Sequence, residues 1–332
     1  MLRSSFLPQL NLNYNTSALQ QFLCYCFSIG NWGVGPLSKR LLYELTLSSS
    51  MVLQELMNPF SVKTKPWQMF LCGSIYSVLA LFLSYFVFKE IAGILMVFLI
   101  VLATVPAFYV TIKREEELEL EIEKEWVLLK EHTKVLIFLM CLFLGITSSL
   151  AVCYVFLPSG MVESVFSLQK QAIIAVNQNT KVITGNVASV DLLGKILFNN
   201  FKVLFFCLLF SLLYGTGAIF ILTWNASVIA AAMGNFIKAE VAQGAALVGF
   251  VQVSSYFAVA TYGFFRYMTH GFFEIVAYFT AGLAGGILSI AIIKHNLKEE
   301  GVIVDSVDLI LISVGVLVLA GFIEVYITPL LF

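Results

Sequence analysis

Long apolar segments restrict this chain to very few folds. Six segments reach the roughly 20 residues that a helix needs to cross a hydrocarbon core about 30 Å thick, namely 68–88, 91–112, 134–157, 202–224, 269–293 and 307–328. A seventh, 245–265, is more polar but uncharged. Because backbone groups in lipid need internal hydrogen bonds, uninterrupted runs predict helices, whereas a barrel would need alternating residues. The sequence therefore predicts an all-α polytopic integral membrane helix bundle with about seven transmembrane helices.

Composition excludes several classes of protein. Of the 332 residues, 60% are hydrophobic and 12% are charged, whereas soluble domains carry about 25% charged residues. A lipid bilayer is therefore the expected surrounding. The formal net charge of −1 argues against a nucleic-acid partner, since phosphate binding requires a basic surface. The 6 cysteines lack the spacing of a zinc site, and we expect no metal and no cofactor.

Lysine and arginine in the short loops predict the orientation, because cytoplasmic loops carry an excess of both. After residue 50, a cytoplasmic N-terminus places ten basic residues on the inner side, Lys238 among them, and six on the outer side. We therefore expect a multi-pass protein of the cell membrane with its N-terminus in the cytoplasm.

Three regions are expected along the chain. Residues 1–50 fit neither a span nor a clean signal peptide. We expect them to be a poorly ordered or non-native extension, with Met51 as the biological start. Residues 51–133 are expected to form a two-helix membrane hairpin followed by an acidic cytoplasmic helix. Residues 134–332 are expected to form the main membrane domain, with an outer cap at 158–198.

Two polar segments between the spans are candidate partner surfaces. The inner segment 113–134 contains eight glutamates and predicts a helix, which is either a solvated connector between spans or a docking surface for a basic cytoplasmic partner. The outer segment 158–198 predicts two amphipathic helices, the second of them capped by Ser189. This cap either covers the membrane face of the protein or contacts an extracellular partner, and the sequence leaves both open.

Polar groups inside the apolar segments are the candidate functional residues, because ionisable groups are costly in lipid unless they are paired or hydrated. His270 and Glu274 are four residues apart and therefore share a helix face. Asn199, Asn200 and Glu324 are expected at a similar depth on other helices. The sequence predicts that these five residues form one intramembrane polar network.

The same residues leave four interpretations open. They are a structural network that fixes helix packing, a path for an ion or solute, a catalytic acid–base pair, and half of a metal site. A metal ion needs three or four ligands, whereas the other histidines, His132 and His295, are expected on the inner side. No nucleophile motif accompanies His270 and Glu274, so we expect no catalytic residues.

Glycines within the spans are candidate helix-packing residues, since small side chains let helix backbones approach closely in lipid. Gly282 and Gly286 have GxxxG spacing, and Gly271 precedes them on the same segment. Gly215 and Gly217, in the sequence YGTG, are expected inside the fourth span.

Four short motifs occur in order along the second half of the chain. They are ILFNN (196–200), YGTGAIFIL (214–222), WNASVIAAAMG (224–234) and HGFFEIVAYFTAGLAGG (270–286). Through them the chain resembles the stage II sporulation protein M family over about 130–332. The segment LQELMNPFSVKTKPWQMF and the glutamate-rich connector are similar to archaeal members, which add two N-terminal spans.

The resemblance implies a set of characteristic positions within the domain 134–332. They are Asn199, Asn200, Gly215, Gly217, Asn225, Gly234, His270, Gly271 and Glu274. One departure concerns the usual Asn-Gly pair after the fourth span, which is Asn225-Ala226 here. A turn that needs positive φ at the second residue is less favourable with alanine than with glycine.

The resemblance also implies a function. Family members in sporulating bacteria look like scaffolds for cell-wall-remodelling machinery, so the expected function is a non-enzymatic membrane scaffold that recruits or holds partner proteins. The alternative is a transporter or channel-like protein that uses the His/Glu/Asn site for a proton, an ion or a small solute. An intramembrane enzyme is a third interpretation, and the sequence leaves a homo-oligomer open.

Overall fold

Helices form almost all of the described chain in the computed structural model, which describes residues 66–121, 125–180, 187–248, 253–294 and 300–331. They are α1 (Trp67–Val87), α2 (Ala92–Glu121), α3 (Glu125–Phe156), α4 (Ser159–Val165), α5 (Ser167–Thr180), α6 (Val187–Tyr214), α7 (Ala218–Val248), α8 (Val253–Lys294), α9 (Glu300–Phe322) and α10 (Thr328–Leu331). A 3₁₀ turn, Lys89–Ile91, precedes α2, and a π-helical turn, Ile323–Ile327, joins α9 to α10. The extension predicted at 1–50 and the expected start at Met51 lie outside the described residues.

The predicted fold class is confirmed. The described ranges contain no strand, and seven of their helical segments are long and apolar enough to cross a membrane. These segments lie on α1, α2, α3, α6, α7, α8 and the stretch from α9 to α10. Helices satisfy their own backbone hydrogen bonds, which is what the hydrocarbon core demands. The chain is a multi-pass membrane protein with an all-α bundle.

The predicted division into spans is wrong between residues 202 and 265. The segment 202–224 is not one span, because α6 ends before a three-residue turn and α7 forms a further span after it. Gly215, the first residue of the turn, has a φ of 66°, which an L side chain rarely adopts. The segment 245–265 is not a separate span either, since residues 253–265 form the first part of α8.

A second correction concerns Lys238. We name the end of the bundle that carries α4 and α5 the cap end, and the end where α2 stops and α3 begins the connector end. The Nζ atoms of Lys238 and of Lys170 on α5 lie 5.5 Å and 5.6 Å from the ring centroid of Tyr154, so Lys238 lies at the cap end. The predicted inner side then has nine basic residues and the outer side seven. The cytoplasmic location of the N-terminus stays a prediction. The excess of basic residues on the inner side, which favours it, is smaller than the sequence alone indicated.

α8 is the central helix of the bundle and packs chiefly against α6, α7 and α9. Its second half is buried on nearly every side, and small residues such as Ala277, Ala281, Ala284 and Ala291 are fully enclosed. At 1.5 Å per residue, the 42 residues of α8 extend about 63 Å, roughly twice the hydrocarbon thickness. α8 therefore extends beyond the hydrocarbon core.

Two of the predicted packing glycines lie at close helix crossings. A Cβ added to Gly286 would lie 2.6 Å from Ile112 Cδ1 of α2, and one added to Gly282 would lie 2.8 Å from Ala218 Cβ of α7. Both distances are shorter than real Cβ contacts, so glycine permits these crossings. Gly271 differs, because the nearest such atom is 3.9 Å away.

The cap end is built from two short helices, α4 and α5, and from the start of α6. Gln169 of α5 is fully buried, and its Nε2 donates to Ser227 Oγ of α7 at 3.2 Å. This contact fixes α5 to the bundle. The second amphipathic helix predicted for the cap is the first part of α6, which begins at Val187. Ser189 therefore lies inside a helix and is not its N-cap.

Candidate functional site

Three helices bring polar side chains together toward the cap end. α8 contributes His270 and Glu274, α6 contributes Asn200, and the π-helical turn after α9 contributes Glu324. α6 and α8 begin near the cap end and α9 begins at the connector end, so the start of α6 and the end of α9 meet the same stretch of α8.

Glu274 is the centre of these contacts. Asn200 Nδ2 donates to Glu274 Oε1 at 2.5 Å, and the Glu324 carboxyl group lies beside the Glu274 carboxyl group. Asn200 has only 8% of its surface exposed, and both glutamates are half-buried. Asn200 and Glu274 therefore join α6 to α8, and Glu324 brings the end of α9 to the same place.

His270 contacts the same helical stretch as Glu274 but through another residue. Its Nδ1 lies 3.3 Å from Thr328 Oγ1, and this hydroxyl donates to the Ile323 carbonyl oxygen at 3.1 Å. Ile323 and Thr328 lie at the two ends of the π-helical turn, whose wider i→i+5 pattern changes the register of a helix. The change of register coincides with the polar contacts that this stretch makes to α8.

Sequence reasoning missed Tyr278. This residue follows Glu274 by four positions, so His270, Glu274 and Tyr278 form one stripe along α8. Its surface is 4% exposed, and its hydroxyl group lies close enough to the two carboxyl groups and to Cys207 of α6 to interact electrostatically with them. The repeated four-residue spacing is the signal that could have identified it.

Two predicted asparagines lie apart from this site. Asn199 is exposed, although Asn200 is buried, because consecutive residues point about 100° apart around a helix. Asn225 lies inside α7, and its Nδ2 donates to the carbonyl oxygen of Ile221 in the same helix at 2.9 Å. Asn225 and Ala226 therefore form no turn, and the chain reverses direction at Gly215 instead.

Two further glycines that the resemblance singles out lie at tight packing positions outside the polar site. A Cβ on Gly217 would lie 2.3 Å from the Phe210 carbonyl oxygen, so glycine allows α6 and α7 to approach at their turn. A Cβ on Gly234 of α7 would lie 2.6 Å from the side chain of Tyr154 on α3. Both positions belong to the packing of the bundle.

A second polar cluster lies at the connector end. Glu115 and Glu116 near the end of α2 are fully buried. His132 Nδ1 of α3 lies 3.0 Å from Glu115 Oε2, and Lys294 Nζ at the end of α8 donates to Glu116 Oε2 at 2.5 Å. Glu274 precedes Lys294 by 20 residues, which is about 30 Å along a helix and equals the thickness of the hydrocarbon core. The two clusters therefore lie near opposite membrane boundaries.

The acidic helix predicted at 113–134 is not a single solvated helix. The segment consists of the ends of α2 and α3, with residues 122–124 outside the described ranges. Two of its glutamates are buried in the bundle instead of being solvated. A cavity of about 300 Å³ lies beside them and is lined partly by Tyr109, Lys113 and Lys294. The Glu274 site does not border this cavity.

In the described ranges, no group of three His, Cys, Asp or Glu side chains is placed to hold a metal ion.

Comparison with known proteins identifies the family. No curated protein and no solved structure matches the chain. A family model described as stage II sporulation protein M matches residues 133–329, a range that includes Asn200, Glu274 and Glu324 and leaves out α1 and α2. The chain belongs to the stage II sporulation protein M family.

Proposed function

We propose that the chain is a non-enzymatic integral membrane scaffold that holds partner proteins, in the cell membrane and with its N-terminus in the cytoplasm. In this proposal the polar residues within the spans keep the helices in fixed register, and the two ends of the bundle present surfaces to partners. The residues of the Glu274 site have a structural role and are not catalytic.

One observation carries the proposal. The polar neighbours of Glu274 come from two other helices: Asn200 of α6 donates a hydrogen bond to it, and Glu324 of the turn after α9 lies beside it. Interhelical hydrogen bonds stabilise membrane bundles by about 0.6 kcal/mol on average and up to about 1.7 kcal/mol. Because the polar groups of this site contact neighbouring helices, they support a role in fixing the arrangement of the bundle.

The ends of the bundle supply the partner surfaces in this proposal. At the cap end, α5 exposes Leu168 and Ile174, and the first turns of α6 expose Val190 and Phe198. At the connector end, Glu115 and Glu116 are buried and are therefore unsuitable for docking. We accordingly favour the cap as the main surface for a protein partner.

Affinity purification tests the scaffold directly. The full chain is purified in mild detergent, and the proteins retained with it are quantified by mass spectrometry. We expect a reproducible set of partners with the unaltered chain, and loss of that set or of folded yield with the double variant Glu274→Ala/Glu324→Ala. Glu163→Ala removes an exposed carboxylate from α4 and should retain the full set. Recovery of only background proteins with the unaltered chain would refute the scaffold.

The carboxyl–carboxyl contact also favours a second candidate, a proton or cation pathway. Neighbouring glutamates inside a membrane are a feature of proton relays. Flux into liposomes containing the purified protein separates the two functions. A scaffold should show no more flux than empty liposomes, whereas a transporter should show flux that Glu274→Gln abolishes without loss of folded yield.

A further inference from the structure

Two lysines converge on one buried aromatic ring at the cap end. Tyr154 near the end of α3 is 2% exposed. Lys170 Nζ of α5 lies 5.6 Å from its ring centroid, and Lys238 Nζ of α7 lies 5.5 Å from the same centroid. Phe166 packs edge-on against the ring at 5.1 Å and helps to hold it. Both ammonium groups lie within the roughly 6 Å at which a cation interacts with an aromatic ring. The sum of the two distances, 11.1 Å, is the largest possible separation of the two groups.

No carboxylate of the described residues forms an ion pair with either of these lysines. Other basic residues behave differently, since Lys195 pairs with Asp191 at 3.2 Å and Lys294 pairs with Glu116 at 2.5 Å. The attraction of each ammonium group to the ring does not remove the repulsion between the two charges, whose separation of at most 11.1 Å is comparable with the screening length of about 8–10 Å. An anion between them would relieve this repulsion.

The depth of the pair indicates which anion is available. Tyr154 lies two residues before the end of α3, and Lys238 lies six residues before the end of the span on α7. Basic and aromatic side chains at such positions mark the membrane–water boundary, where lipid headgroups carry their phosphates. Three further cap-end basic groups, those of Lys89, Lys202 and Arg266, also lie over aromatic rings.

We propose that Lys170 and Lys238 form an anion site for a phosphate group between α5 and α7 at the cap end. The phosphate is that of an anionic phospholipid headgroup or a free phosphate ion, and the same two ammonium groups bind either one. The site would tie the short helix α5 to the membrane surface, independently of whether the protein acts as a scaffold.

Binding to the purified full chain tests the site. Phosphatidylglycerol, phosphatidylcholine and inorganic phosphate are titrated separately, and retained lipid is measured by native mass spectrometry with thermal unfolding as a second readout. Lys170→Gln/Lys238→Gln should weaken phosphatidylglycerol binding about thirtyfold, since each basic residue at an anionic surface contributes a factor of about five. Lys195→Gln/Lys202→Gln removes the same charge at the same end and should bind normally. Lys170→Arg/Lys238→Arg keeps both charges and should also bind.

The three probes distinguish the sources of the phosphate. Preference for phosphatidylglycerol over phosphatidylcholine, lost in the glutamine variant, assigns the site to a lipid headgroup. Stabilisation by inorganic phosphate alone, lost in the same variant, assigns it to a soluble phosphate. Equal binding by the unaltered chain and the glutamine variant, or no binding by the unaltered chain, overturns the proposal. Circular dichroism of each variant shows that the helices have formed.

Discussion

The contact between Asn200 and Glu274 allows a quantitative test of the idea that polar groups fix the helices. Asn200→Ala and Glu274→Ala each remove one partner of a 2.5 Å interhelical hydrogen bond. Such bonds contribute about 0.6 kcal/mol on average and up to about 1.7 kcal/mol. Asn200 is buried and its acceptor is a carboxyl group, so we expect a coupling energy near 1 kcal/mol, or about a fivefold change in the unfolding equilibrium.

A double-mutant cycle measures this coupling. The unaltered chain, both single variants and the double variant are unfolded in mixed micelles of mild detergent and sodium dodecyl sulfate, with helix content followed by circular dichroism. The coupling energy is the difference between the effect of the double variant and the sum of the single effects. Asn199→Ala is the matched control, since this neighbour on α6 is exposed and should change stability by less than about 0.5 kcal/mol.

Two outcomes would refute the reasoning. Additive effects of Asn200→Ala and Glu274→Ala would mean that the two side chains do not stabilise each other. An effect of Asn199→Ala equal to that of Asn200→Ala would mean that helix propensity, and not the contact with α8, causes the loss. Glu274→Ala alone should be the more damaging single change, because it also removes the polar neighbour of Glu324.

Two further predictions concern packing and topology. Gly286→Ala should destabilise the bundle by about 1–3 kcal/mol, since the added Cβ would lie 2.6 Å from an α2 side chain. A Cβ at position 271 meets no close neighbour, so Gly271→Ala should stabilise the bundle by up to about 1 kcal/mol through helix propensity. The same unfolding assay measures the stability of both variants. In a chain without its native cysteines, Lys238→Cys and Lys89→Cys should react with an impermeant maleimide from one side of the membrane and Lys294→Cys from the other. Labelling of Lys238→Cys together with Lys294→Cys would contradict the span division described above.

The bilayer made much of the fold predictable. A helix that crosses the hydrocarbon core must be long and apolar, so hydropathy alone gives the fold class and the number of spans. Asn200, Glu274 and Glu324 were also predictable as neighbours, since polar groups at one depth have only each other to bind. Spacing along the chain does not give their exact partners, and His270 contacts Thr328 instead of Glu274.

Other features depend on information that hydropathy does not contain. The turn at Gly215 is flanked by apolar residues on both sides, so a hydropathy profile continues through it. Lys294 and Glu116 are 178 positions apart in sequence, and nothing in either neighbourhood indicates the other. The glutamates near residue 115 look solvated because they stand in a charged run, yet the crossing of α2, α3 and α8 buries two of them.

The two polar clusters explain why α8 occupies the centre of the bundle. Its middle is lined by small residues that allow close approach but give no preferred register along the helix axis. Lys294 binds Glu116 of α2 at the connector end, and Glu274 binds Asn200 of α6 toward the cap end. Directional contacts about 30 Å apart along one helix oppose both sliding and rotation of its neighbours. A helix held at both membrane boundaries gives α6 and the end of α9 a fixed reference, which the proposed scaffold would require of its surfaces.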